Sequence, residues 1–300
     1  MFVSTEACHQ GVEFPCKAID DIDHGRCLEL FFQQYAQHCR ESGIDMSSKA
    51  LNAATEMQST YSTPDSCKYV LNAVVLDGVG VRALFAALTV LPLAVLDLSD
   101  CYLGDTGMRV LAEVLSTSTR LVCSLRTIKL RGIGLNDGSS LASLIMILPH
   151  LRFIDISSNR LGTQPSGFSL LCKVMGNHPH LQEVHLNDNM ISGCCKVCVC
   201  AIAEWIVVAG RTCMLQHVDL RFNALGLHTG GFYHSLIDGK EERRGIYGFH
   251  PLVDALLLNN ALEVFDVRHN GLACDVLDAV GAKLAVNKRT KGVLLELNNL

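Results

Sequence analysis

The chain is short of aromatic residues, at 6 % of 300, with a single tryptophan. Charged residues are also sparse at 18 %, and the formal net charge is only -5. A weakly acidic chain without a basic stripe is a poor match to the phosphate backbone, so nucleic acid is not an expected partner. No apolar run reaches the roughly 18 residues a membrane helix needs, so no membrane partner is expected either. Residues 1–17 lack the apolar stretch of a secretory leader, and no Asn-x-Ser/Thr sequon occurs. These features place the chain in the cytoplasm or on the cytoskeleton, with its 14 cysteines as reduced, mostly buried thiols and no metal bound.

Catalytic patterns are missing too. There is no Gly-x-Ser-x-Gly elbow, no His-Glu-x-x-His and no phosphate-binding loop: Gly239-Lys240 has neither the upstream glycine nor the following hydroxyl. Gly78-x-Gly80-x-x-Ala83 outlines a dinucleotide fingerprint only if Val74-Val75-Leu76 is a strand. Any strand-turn-helix layer has the same outline. Cys195-x-x-Cys198, within the cluster Cys194, Cys195, Cys198 and Cys200, has zinc-like spacing but no second ligand pair nearby. The expectation is no enzyme activity, no cofactor and no metal.

What the chain does have is leucine, isoleucine, valine and alanine in a repeating order. Leu-x-x-Leu-x-Leu-x-x-Asn/Cys-x-Leu recurs from Leu93 (with Cys101), Leu151 (Asn159), Leu181 (Asn189), Leu215 (Asn223) and Leu262 (Asn270). Two weaker copies start at Leu71 and Leu125, and a truncated eighth lies near residues 293–297. Apolar residues alternate at positions 4 and 6, which is the period of a strand with one buried face. Helical spacing follows, as in Met108, Leu111, Ala112 and Leu115. Pro92, Pro149 and Pro179 then close the helical stretches. Each unit is therefore a β-α layer, with strands expected near residues 75, 97, 129, 155, 185, 219 and 266. The side chains of Cys101, Asn159, Asn189, Asn223 and Asn270 are expected to form a buried ladder that satisfies loop backbone groups.

These repeats resemble the ribonuclease-inhibitor type of leucine-rich repeat. The resemblance implies an α/β solenoid, a horseshoe with a concave parallel sheet and convex helices, over about residues 67–300. Residues 1–66 lack the repeat. Helical spacing from Cys27 to Cys39, a break at Ser42-Gly43-Ile44-Asp45 and a second helix over residues 49–57 read as a cap on the first layer. The run Phe32, Tyr35, Cys39, Gly43, Ile44 is similar to the lead-in of ciliary and flagellar leucine-rich-repeat proteins, such as the repeat subunit of the dynein regulatory complex.

Such a solenoid implies a protein partner, within a larger assembly that the ciliary resemblance would make axonemal. Outward strand positions gather Asp219, Arg221, Phe222, Asp266, Arg268 and His269 in the C-terminal repeats, a composition that suits an interface or, equally, a solvated strand face. The repeat from Leu215 to Leu262 is long, with a surplus near residues 227–250 that carries Phe232, Tyr233, Tyr247 and Phe249. These aromatics have no evident core to join, so they read as partner anchors. Two other functions stay open: a regulator that activates hydrolysis by a small GTPase, and a nucleotide-dependent enzyme at Gly78 and Gly80. The last strand, with no helix after it, is expected to leave apolar surface for a partner or a second copy to cover.

Overall fold

In a computed structural model, the described residues are 24–60, 67–75, 78–212, 215–226, 233–234, 241–242, 249–259, 261–272, 276–278, 280–281 and 292–294. They form an α/β leucine-rich-repeat solenoid. Eight short parallel strands stack in chain order: β1 (Lys68–Val70), β2 (Val95–Asp97), β3 (Thr127–Lys129), β4 (Phe153–Asp155), β5 (Glu183–His185), β6 (His217–Asp219), β9 (Val264–Asp266) and β10 (Gly292–Leu294). Their register is unbroken, so Leu96, Ile128, Ile154, Val184, Val218 and Phe265 form one buried row. The strands end near the positions expected, except at the first.

Helices return the chain behind the sheet: α3 (Gly78–Leu88), α4 (Gly104–Leu115), α5 (Thr119–Ser124), α6 (Ser139–Met146), α7 (Pro165–Gly176), α8 (Lys196–Thr212) and α9 (His250–Leu258). Each lays its apolar stripe on the preceding layer. In α8 the stripe is Cys198, Ile202 and Trp205, all at most 1 % exposed.

The expected strand near residue 75 is displaced. Tyr69, not Val74, lies opposite Leu96. Leu71, Val74 and Leu76 mimic the start of the template, but Leu71 and Val74 occupy its later inward positions. The displacement has a physical cause. The first layer faces helices rather than another layer, so an aromatic takes the leucine position. Tyr69 packs on Phe31 at 6.2 Å and donates its hydroxyl to the Ala50 carbonyl. Residues 74 and 75 are not a strand, so the dinucleotide outline at Gly78 and Gly80 loses the strand it requires.

The cap helices are α1 (His24–Ser42) and α2 (Ser48–Thr60). Phe31, Tyr35, Cys39, Ala50 and Ala54 are buried, and α1 packs on α3 while α2 packs on β1. Between β6 and α9 lies the long surplus. Within it Tyr233–His234 (β7) pairs antiparallel with Glu241–Glu242 (β8), separate from the main sheet. Phe232 and Tyr247 lie outside the described residues, as does the apolar surface expected beyond residue 294.

Candidate functional site

Every layer turns out of its strand in the same way. Two residues after each strand's last inward side chain, the backbone adopts φ between 52 and 63°, at Ala73, Asp100, Gly132, Ser158, Asp188, Phe222 and His269. The last residue of many strands supports this turn. The Asp97 and Asp155 carboxylates accept the backbone N–H and the hydroxyl of Ser99 and Ser157. Asp219 and Asp266 do the same for the N–H of Arg221 and Arg268, and each also takes its arginine in a fork at 2.7–3.2 Å. The recurring outward aspartate is thus a turn former.

This geometry corrects part of the expected contact surface. Asp219 and Asp266 are 2 % and 3 % exposed, covered by their own arginines, and cannot touch a partner. Arg221 also reaches Asp266 at 3.4 Å, which fixes both guanidinium groups in one charge-balanced row. Phe249 is corrected too. At 1 % exposure it caps α9 and packs 6.5 Å from Phe265, so the solenoid core, not a partner, takes its ring. Of Tyr233 the structure gives only its strand pairing with Glu242.

Phe222 and His269 come together. Their rings stack at 4.3 Å with an interplanar angle of 9°, and Phe222 is 51 % exposed. Both sit in the left-handed region, which is unusual for a ring as large as that of Phe222. Five other layers fill that position with alanine, glycine, serine or aspartate.

The position-9 side chains lie between layers. Asn159 accepts the Gly134 and Leu135 N–H groups and donates to Leu130, Ile156 and Ser157 carbonyls. Asn189, Asn223 and Asn270 repeat this scheme one layer on. Cys101 closes the first link by donating to the Leu71 carbonyl at 3.0 Å.

The cysteine cluster does not converge on a metal. Among the described residues these cysteines do not bring three ligand atoms together, and Cys198 belongs to the buried stripe of α8. Nine described cysteines are free. Cys123, however, is disulfide-bonded, so the expectation that every thiol is free fails there.

A different group of ligating side chains was missed in the sequence. Glu183 and His217 are in register across β5 and β6, and His185 follows two residues after Glu183 on the same face. The Glu183 Oε1 atom is 2.7 Å from His185 Nε2 and 3.4 Å from His217 Nδ1. The signal was there in the template: positions 3 and 5 of one repeat beside position 3 of the next.

Comparison with known proteins agrees with this architecture. Leucine-rich-repeat family models match residues 92–112 and 150–171. The chain is similar to NACHT, LRR and PYD domains-containing protein 3 of Bos taurus, 36 % identical over 135 residues, or 44 % of this chain. It is 35 % identical to NACHT, LRR and PYD domains-containing protein 12 of Homo sapiens and of Mus musculus over similar stretches. In each case the match spans only 12 % of the relative's length. Leucine-rich repeats are in general interaction modules without catalytic activity. Among the described residues no helix is long and apolar enough to cross a membrane.

Proposed function

We propose that this chain binds another protein through the sheet side of its C-terminal repeats, with the Phe222–His269 stack as the anchor, and that it catalyses no reaction itself. The observation that carries the reading is the Phe222–His269 ring stack, with Phe222 51 % exposed. Left-handed geometry costs any residue with a Cβ roughly 1–2 kcal/mol, so this turn is a shared cost of the repeat. Ala73, Asp100, Ser158 and Asp188 adopt the same geometry in other layers and Gly132 in a fifth, so what distinguishes Phe222 and His269 is that large rings are held at this turn. Stacked aromatics beside fixed arginines match the composition of interface hot spots. Arg221 and Arg268 present their guanidinium faces, at 35 % and 29 % side-chain exposure, while their charge is held by buried aspartates.

Phe232, Tyr233 and Tyr247 of the insert would serve as secondary anchors for the same partner. The ciliary resemblance gives no preference among partners. Tyr35 and Cys39 are buried, and Phe32 and Ile44 pack against the core, so that motif is a packing signature of the cap.

Quantitative capture from native cells tests the proposal, with wild-type chain compared against Phe222→Ala/His269→Ala and against Met146→Ala on α6. Partners lost with the first variant and kept with the second support the anchor. An identical set from all three contradicts it. If the captured protein is a small GTPase, a turnover assay decides whether the chain accelerates hydrolysis.

A further inference from the structure

Glu183, His185 and His217 stand on adjacent central strands whose floor, Val184 and Val218, is fully buried. Their backbone is therefore fixed by packing on both sides of the sheet's midpoint. The three donor atoms lie within 4.8 Å of one another. A tetrahedral zinc ion with bonds of about 2.0–2.1 Å sets its ligand atoms roughly 3.3–3.4 Å apart. The two distances observed here, 2.7 and 3.4 Å, need only side-chain rotation to reach that spacing. Phe153 meets the His185 ring edge-on at 5.1 Å, and the two imidazoles lie 5.4 Å apart, which limits how far either can swing.

Two further features favour a cation. Asp155 flanks His185 in register on one side and adds negative charge there, while the Asp219 carboxylate on the other side is held by Arg221. Moreover, both histidines compete for a single oxygen, Glu183 Oε1. A simple ion pair would use one imidazole and leave the other redundant. A metal ion would satisfy all three ligands at once.

We propose that Glu183, His185 and His217 bind one divalent transition-metal ion on the inner face of the sheet. Two imidazoles and one carboxylate select zinc-class ions over calcium or magnesium. The ligands keep 24–37 % of their side-chain surface. A coordination position therefore remains open to solvent, for water or an incoming donor. This site does not depend on the Phe222–His269 reading, because it needs no protein partner.

The test uses the full chain, stripped with chelator, dialysed against Zn2+ and assayed by elemental analysis, with Co2+ absorption to report ligand type. One equivalent of zinc is expected, with affinity falling roughly 10–100-fold, the scale of disturbing a metal's supporting shell, or more in His185→Ala and in His217→Ala. These side chains are part-exposed, and unchanged Trp205 emission verifies that the variants fold. Cys194→Ser/Cys195→Ser/Cys200→Ser should keep the ion. The proposal is overturned if zinc binds equally to wild type and the double histidine variant, or not at all. A sulfur-to-cobalt charge-transfer band would overturn it in favour of the cysteines.

Discussion

The asparagine ladder predicts unequal costs for substitutions that look identical in sequence. Replacing Asn189 by alanine removes donors to the Ile156, Leu186 and Asn187 carbonyls. Each of these keeps another donor: Asn159, Asn223 and the Ser158 N–H respectively. Only the buried Leu161 N–H loses its acceptor, over a long 3.4 Å bond. Asn159 differs because the preceding layer carries Ile133 at the equivalent position and offers no second amide. Asn159→Ala strands the Leu130 carbonyl and the Gly134 and Leu135 N–H groups, all bonded at 3.0 Å. An unsatisfied buried group costs about 1–3 kcal/mol, and half-buried Gly134 can recover part of that from water. The expected losses are therefore about 3 kcal/mol for Asn159→Ala and about 1 kcal/mol for Asn189→Ala. Urea unfolding measures this by the emission of Trp205, the sole tryptophan, which is 1 % exposed. Equal costs for the two variants, or both within about 0.5 kcal/mol of wild type, would refute the reasoning.

Phe222→Ala should change stability little, because the ring is 51 % exposed and alanine keeps the same left-handed turn, as Ala73 does in the first layer; a melting curve shifted by several degrees would show that the ring is structural. His178 is buried, which pushes its pKa below the usual imidazole range, and its Nε2 donates to the Leu148 carbonyl while Nδ1 accepts the His180 N–H. The unfolded chain takes up this proton near pH 6.5 and the folded chain does not, so stability should fall as pH drops from about 6.5 towards the folded value. His178→Gln should flatten that slope in urea titrations across the same window, and an unchanged slope would exclude this group. Among the free thiols, exposed Cys194 should alkylate quickly at neutral pH, whereas Cys198 should react only on unfolding. Comparable rates, followed by mass spectrometry, would contradict the burial of the α8 stripe.

The layers were legible in the sequence because inward positions of a solenoid repeat the same packing problem, and leucine, isoleucine and valine solve it each time. Legibility failed where a layer has a different neighbour. Tyr69 packs on cap helices instead of on another repeat, so the template slid to Leu71. Phe249 looked free because the sequence hides that a helix begins there and turns its ring onto Phe265. Outward residues were legible as a list but not as a geometry. Asp219 and Arg221 read as two contact residues, yet a two-residue separation across a tight turn makes them partners of each other. The convergence of Glu183 with His217 was present in the repeat template as equivalent position-3 residues, but it was passed over because outward positions were read down single columns and not across neighbouring strands.

Radical footprinting of the chain with and without its captured partner tests the binding surface most directly. Phe222 on the sheet side and Met146 and Leu170 on the helix side are all exposed and oxidisable in the free chain. The partner is expected to suppress labelling of Phe222 and His269 and to leave Met146 and Leu170 unchanged. Protection of Met146 or Leu170 with Phe222 still labelled would place the partner on the helices and contradict this expectation.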